Sequence, residues 1–287
     1  MVEIIILNWN GLEDTQACLY SLARLPNTFH ITVIDNGSRN DEARILQAQF
    51  PKIKVIDAGQ NLGFVGGNNL VLTNRTAYPA NYYLLLNNDT VVPAGALENL
   101  LSVAEAHTEA GIFGPLIYHF GRPELQSAGA GINLTTGSTA LSAWNQVYSP
   151  YAVDMVSGCC LLVRDRALEK VGPLEPSYGA YYEETELCLR TRRAGFEVLL
   201  VPSSHIEHKG GATSSKVSGF HEYQMSRNRL HFIWRNGNTL QQLSTFLYVT
   251  FFYLWARSFK LIVTHQTANL SSLWRGYIAG CQSRFSA

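Results

Sequence analysis

The chain reads as an α/β protein with a mostly parallel central sheet covered on both faces. Three observations predict this. Short apolar runs recur at residues 4–7, 30–34, 54–56 and 82–86, as expected of strands buried on both sides. Segments with apolar residues at helical spacing lie between them, as the crossovers between parallel strands require. Three of the runs end in small polar clusters, Asn8-Trp9-Asn10-Gly11, Asp35-Asn36-Gly37-Ser38 and Asn87-Asn88-Asp89, and the carboxyl ends of strands are where such sheets bind ligands.

The elements follow in order. Residues 4–7 form the first strand, and residues 14–25 place Cys18, Leu22 and Leu25 on one helical face. A second strand is expected at 30–34, a helix with Ile45, Leu46 and Phe50 on one side at 41–50, and a third strand at 54–56. Residues 63–73 read as a helix despite Gly63, Gly66 and Gly67. The fourth strand, 82–86, precedes a helix at 94–107 with Leu97, Leu100, Leu101 and Ala104 at i, i+3, i+4 and i+7. Beyond residue 110, strands are expected at 112–117 and 156–163, a helix at 184–194, and a strand at 197–201 closed by Pro202. The Gly-, Ser-, Thr- and Ala-rich stretch 121–150 is expected to loop over the sheet edge.

From residue 240 the character changes. Tyr248, Phe252, Trp255, Phe259 and Ile262 share one helical face, opposite Thr250, Arg257, Lys260 and Thr264. The run 246–256, apolar but for Thr250, has 11 residues and spans about 16 Å as a helix. That falls short of a hydrocarbon core of roughly 30 Å, so an amphipathic helix is expected rather than a membrane span.

Charge divides the chain the same way. The 287 residues hold 22 basic and 22 acidic side chains, but only two acids, Glu207 and Glu222, follow residue 200. Nine basic residues accompany them there, a sign asymmetry that points to an anionic partner at that end. Cys18, Cys159, Cys160, Cys188 and Cys281 form no CxxC pair, which argues against a disulfide scaffold or zinc finger. The N-terminal segment reads as a strand rather than a signal peptide, and a reducing, cytoplasmic setting is expected.

Each candidate for chemistry also has a bland reading. The polar strand ends are able to bind a base, a sugar or a metal, but Asn, Asp, Ser and Gly also dominate turns and caps. The segment from Asn61 to Asn69 has glycines in a G-x-x-G-G pattern. It lacks both the dinucleotide and the P-loop fingerprint, and close helix packing explains it equally well. Glu183, Glu184 and Glu186 open a helix, where acids favour the helix dipole; alternatively, one of them is a general base. His208 follows a strand and is able to join Asp89 around a divalent cation. No nucleic-acid motif accompanies the basic end.

Taken together, these segments resemble the family 2 glycosyltransferases, with the bacterial rhamnosyltransferase-like enzymes as the nearest subgroup. The matching residues are Ile5 to Gly11, Val33 to Ser38, Asn61 to Phe64 with Gly66 to Asn69, and Leu84 to Asp89. Ser157-Gly158 through Arg164, Tyr182 to Arg190, and His208 with Gly210-Gly211 complete the series. The resemblance implies a GT-A fold, a Rossmann-like fold of nucleotide-diphospho-sugar transferases. Residues 1–238 would form the catalytic domain, with nucleotide-sugar binding in 1–115 and the acceptor side and base in 116–238. Residues 239–287 would add amphipathic helices.

The same resemblance assigns roles. Asn8 and Asp35 would contact the nucleobase and ribose, and Asn61 and Asn68 would lie along the donor. Asn87 and Asp89 hold the first and last positions of a D-x-D-like motif, with Asp89 and His208 binding Mg2+ or Mn2+. Glu184 holds the base position, where Asp is usual; Glu183 is counted with the substrate-binding residues, and Glu183 or Glu186 is able to share the base role. The expected activity is inverting transfer of a sugar, L-rhamnose being the favoured candidate, from a nucleotide sugar to a saccharide or lipid-linked saccharide. The expected place is the cytoplasm or the inner face of the cell membrane, with an anionic lipid surface as partner. A catalytically degenerate nucleotide-sugar-binding scaffold is the alternative.

Overall fold

The structure is a computed structural model and describes residues 1–142, 144, 146–210 and 218–285. Gly211 of the last motif lies outside the described residues. The chain divides into two compact units. The first comprises residues 1–131, 141–179 and 183–210, and the second residues 132–140, 180–182 and 211–287. Residues 211–238 thus group with the C-terminal helices, so this division and the boundary expected at 238/239 do not coincide.

The first unit opens with four parallel strands. They are β1 (Val2–Asn8), β2 (Phe29–Asp35), β3 (Lys54–Asp57) and β4 (Tyr82–Asn87), with helices α1 (Leu12–Ser21), α2 (Glu42–Gln49) and α3 (Gly63–Leu72) between them. β1 pairs with both β2 and β4, and its register sets Asn8 beside Asp35 and Leu7 beside Asn87. Three polar strand ends therefore meet at one edge. Val2, Ile4 and Ile6 of β1, with Val33, Leu84 and Leu86, form the apolar core beneath them.

Beyond β4 come a two-residue strand β5 (Thr90–Val91), helix α4 (Ala96–Ala106) and strand β6 (Ala110–His119). Stretch 121–150 carries three short strands rather than loop alone: β7 (Leu125–Ser127), β8 (Ala130–Asn133) and β9 (Ser138–Leu141). β7 pairs back on β6, and β8 with β9. Next come β10 (Tyr151–Ala152), β11 (Cys160–Arg164), α5 (Asp165–Val171), α6 (Glu183–Arg193) and β12 (Glu197–His208). The main sheet runs β10-β12-β6-β11-β4-β1-β2-β3, with β11 antiparallel to both of its neighbours.

Two expected strands differ in ways that matter. The strand expected at 156–163 begins only at Cys160, because Ser157 turns the chain, its Oγ and carbonyl accepting from the amides of Cys159 and Cys160. The strand expected to close at Pro202 instead continues to His208. Its ladder with β6 breaks between Val201 and His205, so Pro202 sits in a bulge that asks no amide hydrogen of it. The motif residue Arg164 serves the fold. Its Nε donates to Ala110 O at 3.0 Å and Nη2 to His107 O at 3.0 Å, securing the end of α4.

The second unit is helical, with α7 (Phe220–Asn236), α8 (Thr239–Tyr248), α9 (Leu254–Val263) and α10 (Leu270–Gln282). A π-helical turn, Val249–Tyr253, joins α8 to α9, giving one continuous helix of 25 residues, Thr239–Val263. By length and composition it is long enough to cross a membrane, unlike the shorter apolar run read from sequence. It also has an inward side: Val249, Leu254 and Leu261 pack with Leu230 of α7 and Leu273 of α10. Its outward side is apolar as well. Leu240, Leu243, Leu247, Phe251, Phe252, Trp255, Phe259, Ile262 and Val263 are all exposed.

Candidate functional site

The site is built where the ends of β1, β2 and β4 meet the end of β12. Asn8 is fully buried, and its amide is committed within the protein. Nδ2 donates to Asp35 Oδ1 at 3.0 Å, Ser38 Oγ at 3.1 Å and Glu42 Oε2 at 2.8 Å, while Oδ1 accepts from Thr15 Oγ1 at 2.6 Å. Asn8 thus fixes Asp35 from behind. Asn88, with its Nδ2 2.9 Å from Thr15 Oγ1, extends the same network. Asn10 is held at φ +50, a left-handed conformation that Asn tolerates better than most residues.

Asn61 Oδ1 accepts from Asn36 Nδ2 at 3.0 Å and from the Gly63 amide at 2.8 Å. The pair Asn36–Asn61 therefore ties the end of β2 to the start of α3. Asn68 is buried and donates to Phe64 O at 2.9 Å within α3; its side chain reaches none of the other candidates in these bonds.

Asp89 and His208 are brought together by strand pairing. β5 and β12 run antiparallel with Thr90 opposite His208, and the Lys209 amide donates to Asp89 O at 3.0 Å. Asp89 Oδ1 then lies 3.1 Å from His208 Nε2, with side-chain exposures of 5% and 12%. His208 Nδ1 is 2.9 Å from Gln126 Oε1, an oxygen placed to accept the ring hydrogen of the Nδ1 tautomer. In that tautomer Nε2 presents its lone pair, with Asn87 Nδ2 at 3.4 Å and the Asp89 carboxylate facing it. A carboxylate oxygen and an imidazole nitrogen 3.1 Å apart are able to share one cation. A metal-bound histidine normally donates its other N–H to an oxygen, so the donor set fits a divalent ion. Among the described residues no third His, Cys, Asp or Glu joins it. Lys209 pairs with Asp14 and lies over the Phe120 ring.

The acids of α6 stand on the other side of a short loop. Gly158 packs on Glu184: a Cβ at 158 would meet Glu184 Cβ at 3.3 Å and Cγ at 3.4 Å. Glu183 is buried, its Oε2 has no hydrogen-bond partner among the described residues, and burial followed by the charge of Glu184 raises its pKa well above the ordinary carboxylate range. Glu186 is bound to Arg190, Oε2 to Nη2 at 2.8 Å. Of the three acids, Glu183 is thus pushed toward its neutral form by burial and by Glu184, and Glu186 is paired. Tyr181 and Tyr182, just before α6, have φ of +63 and +73, strain of the kind that gathers at functional sites.

Cys159 links the two sides. The Asn87 amide donates to its carbonyl at 2.9 Å. Its thiol is pushed up to about 12, by burial first and also by the charges of Asp89 and Glu184. The loop thus touches Glu184 through Gly158 and the end of β4 through Cys159. The supporting residues Thr15, Ser38, Glu42 and Gln126 were not among the sequence candidates. Ser38 lay in a quoted motif, whereas Gln126 sits in the irregular stretch 121–150 and carries no signal of its own.

Comparison with known proteins agrees with this architecture. The chain is 27% identical over 199 residues to the low-salt glycan biosynthesis hexosyltransferase Agl10 of Haloferax volcanii, covering 69% of this chain and 63% of the relative. It is 24% identical over 214 residues to the N-acetylglucosaminyl-diphospho-decaprenol L-rhamnosyltransferase of Mycobacterium tuberculosis, covering 67% of this chain and 70% of that one. Less than two thirds of the first relative's length is thus spanned. The mannosyltransferase PcManGT of Pyrobaculum calidifontis, solved with GDP-Man and Mn2+, superposes with a TM-score of 0.61 at 13% identity, covering 98% of this chain and 86% of that one. The fold is GT-A, as the sequence implied. Residues 3–172 match the family described as Glycosyl transferase family 2, and the chain belongs to that family.

Proposed function

We propose that the chain is an inverting, metal-dependent glycosyltransferase that moves a sugar from a nucleotide-sugar donor to a saccharide or lipid-linked saccharide acceptor. One observation carries the reading. The loop 157–159 packs on Glu184 through Gly158 and bonds the end of β4 through Cys159, next to the Asp89–His208 pair and the strand ends that carry Asp35 and Asn87.

In this reading Asp35, fixed by Asn8, meets the nucleoside, and Asn61, Asn68 and Asn87 lie along the donor. Asp89 and His208 would hold Mg2+ or Mn2+, which supplies charge neutralisation for a leaving diphosphate. With only two protein ligands of these types among the described residues, donor oxygens complete the coordination. Glu184 takes the proton from the acceptor hydroxyl as it attacks the anomeric carbon. Burial and the neighbouring Glu184 push the Glu183 carboxyl toward its neutral form, and a single direct displacement needs no second carboxylate as nucleophile.

L-Rhamnose is the sugar favoured by the name of the mycobacterial relative. The exposed apolar row on α8 and α9, with Lys260 and Arg275 nearby in sequence, supports a peripheral position on an anionic cytoplasmic leaflet. The test is transfer from UDP-, dTDP- and GDP-sugars to lipid-linked and free saccharides, with the product anomer read by NMR. Metal-dependent transfer with inversion supports the reading. Donor binding without transfer to any acceptor would replace it with a non-catalytic scaffold.

A further inference from the structure

The helical unit holds a buried cation without an acid. Arg229 of α7 is 8% exposed. Within residues 132–140, 180–182 and 211–287 the only acid is Glu222, and Glu222 is bound to Arg257 through Nε at 2.8 Å and through Nη2. Arg229 forms no ion pair among the described residues. Its Nε donates to Tyr182 Oη at 3.3 Å, and its guanidinium lies 4.1 Å from the Tyr253 ring centroid. Tyr182 Oη in turn donates to Gly137 O at 2.7 Å, and Gly137 leaves room for the Arg229 stem, since a Cβ there would meet Cγ at 2.9 Å.

A guanidinium carries five N–H donors, and only the Nε–H of Arg229 meets an acceptor among the described residues. The hydroxyls of Tyr248 and Tyr253 are its electrostatic neighbours, and neither has a hydrogen-bond partner there. Ring stacking offsets part of the charge but satisfies no Nη hydrogen. Buried charges are normally paired, and the fork left open matches two oxygens of a phosphate.

We propose that Arg229, beside the Tyr253 ring, is an anion-binding site for a phosphate group, carried by a lipid headgroup or free in solution. Its residues all belong to the helical unit, and the claim stands apart from the transfer chemistry. The exposed apolar row of the same unit is the reason to test the lipid source first.

The experiment uses the full chain, without nucleotide and in EDTA. Vesicles of phosphatidylcholine with phosphatidic acid are compared with phosphatidylglycerol vesicles of equal surface charge, and inorganic pyrophosphate serves as the soluble probe in a thermal-shift assay. Wild type binds the phosphatidic acid vesicles about tenfold more tightly, the preference expected of a bidentate phosphate contact. Arg229→Met loses that preference yet keeps its binding to phosphatidylglycerol. Stabilisation of wild type by pyrophosphate, absent in Arg229→Met and without any vesicle preference, assigns the site to a soluble phosphate. Arg229→Met removes an uncompensated buried charge, so without ligand it melts no lower than wild type. Arg229→Lys keeps the charge without the fork, and its phosphate preference is intermediate. Equal responses of wild type and Arg229→Met to both probes would overturn the proposal, as would a lower melting point of Arg229→Met together with no response of wild type to either.

Discussion

The two units treat charge in opposite ways. In the sheet unit, the buried acids away from the Asp89–Glu184 neighbourhood have dedicated partners: Glu3 accepts from Thr32, Asp35 and Glu42 from Asn8, and Glu186 from Arg190. Within that neighbourhood Asp89 lies against His208 Nε2, and Glu183 sits against Glu184. The helical unit has one acid for all its cations, Glu222, and Arg257 and His221 share it. Satisfied networks hold the fold in place. Clustered acids and an open guanidinium are where ligands are proposed to bind.

Breaking the sheet side of this contrast has the largest expected effect. Glu184→Gln lowers transfer by about 10² to 10⁴-fold, the usual worth of general base catalysis, while donor affinity stays at the wild-type level in calorimetry. Turnover near wild type would remove Glu184 from the base role. Next comes Gln126→Leu, which leaves His208 Nδ1 without its acceptor. Loss of such an outer partner costs about 10 to 100-fold in metal affinity, to be read by Mn2+ titration; unchanged affinity would mean that Gln126 does not orient the ring. Gly158→Ala presses a methyl group on Glu184 and should lower kcat about tenfold with donor binding intact, since small displacements of a catalytic group are expensive in rate. Equal losses in kcat and donor affinity would indicate general damage instead.

The helical side is sharpened by pH. Burial pushes the Glu222 carboxyl up, but its bonds to Arg257 and His221 prevail and hold it at about 2, below the ordinary 4.5. A depressed folded value means stability that is present above pH 4.5 and lost as pH falls toward 2. Acid titration followed by fluorescence of Trp234, Trp255 and Trp274 should show that loss, and Glu222→Gln should flatten it at a cost of about 1 kcal/mol at neutral pH. An identical acid profile in the variant would refute the pairing. The smallest effect is at Glu183. Its raised value means that stability is present below the ordinary carboxylate range and is lost as pH rises through the folded value. Glu183→Gln should therefore leave the melting temperature within the equivalent of about 1 kcal/mol at neutral pH and raise it in alkali. A marked drop would show that the ionised form is needed.

Much of the fold was legible because the buried strands and amphipathic helices have distinct periods: β1, β2, β3 and β4 lie where their apolar runs predict. The polar strand ends were legible as a site because register follows from pairing, which sets Asn8 beside Asp35. The extension of β12 past Pro202 was hidden, since a proline signals an end and the bulge that tolerates it depends on β6. That bulge carries His208 to Asp89. Nor did any pattern reveal Gln126, whose role comes from a short edge strand. In the C-terminal helix the π-turn adds to the run and both sides are apolar, so a single amphipathic face understated its exposed surface.

The most direct test of the central claim is calorimetry of the donor panel on wild type, Asp89→Ala and Glu184→Gln, each with Mn2+ and with EDTA. The account predicts one preferred nucleotide sugar, bound tightly by wild type and Glu184→Gln only when Mn2+ is present, and weakly by Asp89→Ala throughout. Equal donor affinity in all three proteins, with or without Mn2+, would contradict it.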